Sequence, residues 1–141
     1  MKFYETKTTI NATPEQIWPV MSDGAGFTSW DSSVLQFDGE IKAGNQVKLV
    51  SEVAPKRTFK LNVSECSPPH HFVFSDGMPL GLFKGERTYK LTPKGNQTEF
   101  HMREEYTGPL AAMMYKAIPD LQPSFEKFAA GLKAKVEGRS T

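Results

Sequence analysis

The segment 85-GERTYKLTPKGNQTEFHMREEYTGPL-110 predicts where a β-sheet ends and a helical region begins. Two strand-like runs, 87–92 and 98–107, flank the turn Pro93-Lys94-Gly95-Asn96, which predicts an antiparallel hairpin. After Gly108-Pro109, apolar residues recur at helical spacing and mark one buried helix face. These residues are Leu121, Phe125, Phe128, Leu132 and Val136. A helix that follows a meander needs a curved sheet to lie on, and the space between them commonly binds a ligand.

Length and composition favour one soluble domain over the whole chain, 1–141. The 141 residues are 38% hydrophobic and 23% charged, which suits an ordinary globular protein with a real core. No linker or low-complexity tract divides them. The formal net charge of +1 and the lack of a dense Lys/Arg run argue against nucleic-acid binding.

Cysteine usage and hydropathy favour the cytoplasm. The single cysteine, Cys66, cannot form an intramolecular disulfide, so a reducing compartment is the simpler reading. The N-terminal residues lack the apolar core of a signal peptide, and no stretch approaches the ~20 apolar residues of a membrane span. We therefore expect a soluble, cytoplasmic protein, and we leave its oligomeric state open.

Turn residues divide the chain into a short series of elements. Residues 2–11 favour a strand, and Thr13-Pro14-Glu15-Gln16 predicts a capped helix start. A second helical turn is expected at 27–30. Six further strands are predicted at 34–38, 46–53, 57–66, 71–76, 82–92 and 98–107. Their spacing suits hairpins, so the sheet should be antiparallel and sequentially connected.

The C-terminal region divides into two helical pieces. Pro109 can start the first, and Ile118-Pro119 ends it because proline disfavours helix at the preceding residue. Asp120 can cap the second piece, which places Pro123 in its first turn and carries the main helix to about residue 137.

This order of elements resembles the START-like (SRPBCC) helix-grip superfamily, and most closely its polyketide cyclase/dehydrase-like branch. The matching stretches are 10-INATPEQIW-18, Asp23 with Trp30, Gly39 with Gly44, 85-GERTYKL-91, 95-GNQTEF-100 and 105-EYTGPL-110. The resemblance implies an α+β helix-grip fold, in which a seven-stranded curved antiparallel sheet (β-α-α-β6-α) wraps around a long C-terminal helix. An apolar pocket would lie between them. Superfamily members carry lipids, hormones and polyketides, and some cyclise or dehydrate them; no shared catalytic motif and no cofactor carries over.

Side-chain alternation predicts an ion pair in that pocket. For the inner faces to coincide, a loop of about four residues would pair Leu91 with Phe100, Tyr89 with Met102, and Arg87 with Glu104. A two-residue Lys94-Gly95 loop would shift this pairing by two and leave Arg87 and Glu104 as diagonal neighbours. The pair would either anchor a polar group of a ligand or serve as a structural ion pair satisfied by its own members.

The predicted ligand site is a pocket of ~300–1,000 Å³ that holds a lipid- or polyketide-like molecule. Its residues are Phe59, Leu61, Phe74, Phe83, Arg87, Tyr89, Met102, Glu104, Tyr106, Met114, Leu121 and Phe125. As an alternative, the cavity is a cyclase or dehydratase site in which Glu104 or Asp76 is the general base and Arg87 or Tyr89 stabilises an enolate oxygen. A third hypothesis is a protein-interaction module of the Hsp90-activator kind.

Metal and nucleotide sites have no support in the sequence. Cys66, His70 and His71 lie close together in the chain, but they lack zinc-like spacing, and His101 alternates to the outer face of the sheet. There is no phosphate-binding glycine loop and no nucleophile elbow. We therefore expect neither a metal nor a cofactor.

Overall fold

The computed structural model describes residues 2–138, and its elements follow the predicted order. The strands are β1 (Lys2–Ile10), β2 (Val34–Asp38), β3 (Gln46–Ser51), β4 (Phe59–Ser67), β5 (His71–Met78), β6 (Phe83–Lys94) and β7 (Gln97–Thr107). The helices are α1 (Pro14–Met21), α2 (Phe27–Trp30), α3 (Ala111–Ala117) and α4 (Gln122–Val136), and 3-10 turns occupy Gly24–Gly26 and Pro79–Gly81.

The strands form one seven-stranded antiparallel sheet in the order β1-β7-β6-β5-β4-β3-β2. Strands β2 to β7 are paired sequentially, as hairpin spacing predicts. The first strand instead pairs with the last, from Lys2 opposite Tyr106 to Ile10 opposite Thr98. The sheet curls around α4, so the predicted α+β helix-grip fold is confirmed. Within the described part of the chain, no helix is both long and apolar enough to cross a bilayer.

Helix α1 begins as its sequence predicts. The Gln16 amide donates to Thr13 Oγ1 at 3.3 Å, and the Thr13 amide donates to Gln16 Oε1 at 3.0 Å, which completes a capping box. Pro14 occupies the first turn, where a missing N–H costs little. Ile17 and Met21 then point inward and are fully buried.

The β6–β7 hairpin has the predicted register, although its turn is tighter than expected. Leu91 lies opposite Phe100, Tyr89 opposite Met102 and Arg87 opposite Glu104. The strands continue past the predicted ends until Lys94 lies opposite Gln97. The turn is therefore the dipeptide Gly95-Asn96, in which Gly95 has a φ of 65° that a glycine adopts without strain. Shortening the loop symmetrically leaves the pairing unchanged.

The C-terminal helices break at the predicted place. Helix α3 ends at Ala117, and α4 begins at Gln122 with Pro123 in its first turn. Asp120 Oδ1 accepts from the Gln122 amide at 3.0 Å, although Leu121 occupies the N-cap position itself. The predicted apolar face is buried at its centre, with Phe125, Phe128 and Leu132 each no more than 3% exposed.

A close contact fixes how α4 lies against the end of α2. A β-carbon on Gly131 would stand 2.4 Å from the carbonyl oxygen of Trp30, so only glycine permits this approach. The neighbouring rings interlock, since Phe128 packs edge-on against Trp30 at 5.0 Å and against Phe27 at 5.3 Å. The chain that follows Trp30 is therefore held at the edge of the space between α4 and the sheet.

Candidate functional site

A cavity of about 210 Å³ lies between the curled sheet and α4. Every residue of the predicted ligand site lines it except Phe74. Their role as ligand contacts stays a prediction. The volume is smaller than the ~300–1,000 Å³ expected, because the aromatic side chains of the inner face fill much of the hollow.

Phe74 lies in the core and does not line the cavity. Alternation assigned it to the inner face, and its side chain is indeed only 2% exposed. Its ring, however, packs against Phe37 at 6.1 Å, Phe72 at 5.1 Å and Tyr89 at 5.3 Å. A period of two assigns a face of the sheet, but it does not say how far along the strand the cavity extends.

An ion pair crosses the sheet wall of the cavity. Oε1 of Glu104 accepts from Arg87 Nε at 2.9 Å and lies 2.7 Å from Arg87 Nη2. Neither of these contacts involves Oε2, the other carboxylate oxygen. The two side chains are 18% and 15% exposed, and the guanidinium lies 5.0 Å from the ring centre of Phe125. Burial alone would lower the pKa of Arg87, but the Glu104 carboxylate and the Tyr89 side chain together outweigh it and hold that pKa above its ordinary value.

Two buried tyrosines adjoin the ion pair. Burial raises the pKa of Tyr106, and the nearby Glu104 charge raises it further, so the phenol stays protonated and can donate. The Glu104 carboxylate also raises this pKa by hydrogen bonding to the phenol, although no contact of the hydroxyl within the described residues meets strict hydrogen-bond geometry. Burial likewise raises the pKa of Tyr89, although Arg87 opposes the shift. Gly85 makes room here, since a β-carbon at that position would lie 3.2 Å from Glu104 Oε2.

A second polar group lines the cavity, and it is not among the ligand-site residues predicted from the sequence. Asp31 is 1% exposed, and its Oδ1 accepts from the Ser33 amide at 2.8 Å and from the Ser33 hydroxyl at 2.7 Å. The tripeptide Asp31-Ser32-Ser33 is a recognisable turn signal. Such a signal usually marks an exposed loop, so only the packing of α4 over this turn reveals its place in the cavity.

Several residues that line the cavity are exposed, so the cavity meets solvent beside them. Its lining includes Ala54 and Arg57 from the β3–β4 connection and Ala117 to Pro119 from the break between α3 and α4. Asp76 also lies at this rim; it is exposed, and its Oδ1 accepts from the Gly77 amide at 2.8 Å. Of the four candidate catalytic residues, Arg87 and Glu104 therefore contact each other and Tyr89 lines the same cavity, whereas Asp76 lies outside the ion pair.

The histidines and the cysteine contribute no candidate metal centre. Within residues 2–138, no three His, Cys, Asp or Glu side chains are arranged to hold a metal ion. His101 does not line the cavity, and its Nε2 lies 2.7 Å from Glu5 Oε1 on β1. His71 Nε2 lies 3.3 Å from Glu65 Oε1.

Comparisons with known proteins agree with this architecture. The family model described as "Polyketide cyclase / dehydrase and lipid transport" matches residues 2–137. No curated protein sequence gives a significant match.

Several solved structures share the fold at low sequence identity. The Zhui aromatase/cyclase from Streptomyces sp. R1128 superimposes with a TM-score of 0.74 at 14% identity, covering 98% of this chain and 94% of that one. A START superfamily protein from Mycobacterium smegmatis gives 0.69 at 18% identity, covering 98% and 99%. The Aha1 dimer from Colwellia psychrerythraea gives 0.73 at 17% identity, covering all of both chains.

The match extends over nearly the whole chain, and the curled sheet, terminal helix and intervening cavity agree with it. The protein therefore belongs to the polyketide cyclase/dehydrase and lipid transport family.

Proposed function

We propose that this protein binds a small, largely apolar molecule in the cavity between the sheet and α4. The observation that carries the proposal is a hollow of about 210 Å³ with mainly aromatic and aliphatic walls. The ion pair within it is internally compensated, so an uncharged ligand meets little net charge from the sheet wall. The family description, which includes lipid transport, supports the same function.

The volume limits the size of the enclosed part of the ligand. A dry apolar cavity of about 150 Å³ accommodates benzene. A cavity of about 210 Å³ therefore suits one or two fused rings, or a short alkyl segment. A longer lipid- or polyketide-like molecule would leave its remainder at the exposed rim beside Arg57 and Pro119.

A cavity-filling variant tests the proposal. Leu121 lines the cavity and is only partly buried, so Leu121→Trp adds bulk inside the hollow with little disturbance of the core. The matched control is Leu35→Trp, because Leu35 is 50% exposed and is not among the lining residues. We expect 2-naphthol to bind the wild type and the control, and to bind Leu121→Trp at least tenfold more weakly.

Calorimetric titration and the ligand-induced rise in Tm measure this binding, because a molecule that binds only the folded state stabilises it. Unchanged affinity in Leu121→Trp would contradict the assignment of the cavity. Native mass spectrometry of protein purified from its own host addresses the natural ligand directly, since a co-purified molecule would add its mass to the folded chain.

A second candidate function is a cyclase or dehydratase reaction in the same cavity. The observation that favours it is Glu104 Oε2, which is free of the Arg87 contacts and lies beside Gly85 and Tyr106. That oxygen could take a proton from a carbon next to a carbonyl. Arg87, Tyr89 or the Tyr106 hydroxyl would then donate to the enolate oxygen.

The two candidate functions separate in one variant. Glu104→Gln keeps the shape of the side chain but removes the base, so we expect a ~10²–10⁴-fold loss of proton abstraction with ligand binding retained. Exchange of the α-protons of 2-tetralone in D₂O, followed by NMR, provides the assay. Exchange by the wild type no faster than in buffer would leave binding as the supported function.

The interaction-module hypothesis makes the opposite prediction for the cavity. A module that binds a partner protein through its outer surface would keep its function when the cavity is filled. Leu121→Trp therefore also separates this hypothesis from both cavity functions.

A further inference from the structure

We propose that Asp31 determines which ligands the cavity accepts, because its free carboxyl oxygen takes a hydrogen bond from an O–H or N–H group of the bound molecule. The ligand class is then a small ring compound that carries a donor, such as a phenol, in preference to a pure hydrocarbon or a carboxylate. This inference rests on the proposed binding function and specifies its chemistry.

The geometry of Asp31 leaves one oxygen without a protein partner. Both contacts of Ser33 are made to Oδ1, and Oδ2 is buried with no hydrogen-bond partner in the described chain. Buried polar atoms are rarely left unsatisfied, so an orphaned one that belongs to a cavity wall indicates a partner supplied from the cavity.

The backbone around Asp31 is rigidly held. The Asp31 amide donates to the Phe27 carbonyl at 2.8 Å, and the preceding residue, Trp30, is packed against Gly131 of α4. The backbone that carries the carboxyl is therefore held against α4, and the two Ser33 contacts hold Oδ1 of the carboxyl itself. A group held in this way is preorganised for a ligand, which lowers the entropic cost of binding.

Polar atoms on the other walls complement Asp31. The Ser124 hydroxyl on α4 is also buried without a partner in the described chain, and Ser124 lines the same cavity. The Tyr106 phenol on β7 lines it as well, beside Glu104. Burial raises the pKa of Tyr89, Arg87 opposes the shift, and Glu104 and Asp31 both add to it. All four of these residues line the cavity, so their polar groups surround a shared space.

The charge balance selects a donor over an anion. The Glu104 carboxylate compensates the charge of Arg87. Lys127 is the cation that lowers the pKa of Asp31, but it is itself paired with Glu52 at 2.6 Å. Burial raises the pKa of Asp31 despite the hydrogen bonds from Ser33, as expected of a carboxylate without a close cation. A donor satisfies Oδ2 directly, but a ligand carboxylate beside it would add a like charge.

The test compares 2-naphthol with 2-methylnaphthalene and 2-naphthoate, which differ at one substituent. We expect the wild type to bind 2-naphthol most tightly, even though the methyl compound is the more hydrophobic. In Asp31→Asn, the Ser33 donors keep the amide oxygen on their side, so the NH₂ group faces the cavity. The affinity ratio of 2-naphthol to 2-methylnaphthalene should then fall about tenfold, and 2-naphthaldehyde, an acceptor, should bind better than it does to the wild type.

The control variant is Asp38→Asn, which removes the same charge from an exposed carboxylate that contacts Gln36 on the surface. It should leave all affinities unchanged. If the affinity ratio of 2-naphthol to 2-methylnaphthalene is the same in the wild type and in Asp31→Asn, the inference is overturned but the binding function stands. If no probe binds the wild type, the binding function itself fails.

The ligand series also stands without the variant. If Asp31→Asn does not fold, tighter binding of 2-methylnaphthalene than of 2-naphthol to the wild type would overturn the inference by itself. Tighter binding of the naphthol would support it.

Discussion

Removing both charges of the Arg87–Glu104 pair should cost less stability than the sum of the two single removals. Breaking a fully buried ion pair costs about 3–5 kcal/mol, because the remaining charge is left uncompensated. Here the side chains are 18% and 15% exposed and adjoin a cavity that water can enter, so the lower end applies. Arg87→Met keeps an aliphatic stem against Phe125 but loses the charge, and we expect a cost of about 3 kcal/mol.

The double-mutant cycle isolates the interaction. Glu104→Gln keeps an acceptor for Arg87 and should cost about 2 kcal/mol. In the double variant neither charge remains, so its cost should stay near 3 kcal/mol instead of the additive 5, which corresponds to a coupling of about 2 kcal/mol. For a chain of 141 residues, each kcal/mol lowers Tm by about 3 °C.

Urea unfolding followed by the fluorescence of Trp18 and Trp30 measures all four proteins. Equal slopes with denaturant would show that only the midpoint changes, and hence only the stability. A coupling below about 0.5 kcal/mol would refute the reasoning, since costs that merely add indicate two independent groups.

Three further changes have expected outcomes. Gly131→Ala should lower the free energy of unfolding by about 1–3 kcal/mol, because its β-carbon would stand 2.4 Å from a Trp30 backbone oxygen, and thermal unfolding measures the loss. Thr98→Val should cost about 1–2 kcal/mol in urea unfolding, because the buried Thr98 hydroxyl donates to the Ala12 carbonyl at 2.7 Å. Ligand-free Asp31→Asn should be more stable than the wild type at pH 8, with the gain shrinking as the pH falls toward 4.

The sign of the last effect follows from the direction of the shift. Burial raises the pKa of Asp31 in the folded state above its value in the unfolded chain. The stability that Asp31 contributes is therefore fully present below the unfolded-state pKa, and it is lost as the pH rises through the folded-state pKa. An amide does not titrate there and escapes that loss. Urea unfolding between pH 4 and 8 measures the difference, and a gain that grows toward acid pH would contradict it.

Controls accompany the two packing predictions. Gly44→Ala and Gly131→Ala remove the same kind of residue, but a β-carbon at Gly44 meets nothing within 4 Å. Any cost at Gly44 reflects its positive φ of 91° and not crowding. Thr8→Val provides a strand threonine that is not among the buried polar residues, and it should leave stability nearly unchanged.

Local chemistry explains why much of the fold was predictable. The capping box at Thr13 and Gln16, the break at Ile118-Pro119 and the turn at Gly95-Asn96 each depend on residues a few positions apart. Register across β6 and β7 followed from alternation, because a slip of one residue would turn every apolar side chain to the wrong face. The sequence was therefore sufficient to predict that Arg87 lies opposite Glu104.

Tertiary structure alone decided the extent of the cavity and its second polar group. Phe74 has the phase of a lining residue, yet the rings of Phe72 and Tyr89 enclose it in the core. Asp31 reads as an ordinary turn residue until Gly131 brings α4 against Trp30. The place of Asp31 depends on a contact between segments about a hundred residues apart, those of Trp30 and Gly131. Periodicity reports which face a side chain takes, whereas the volume left between faces depends on how all the side chains pack together.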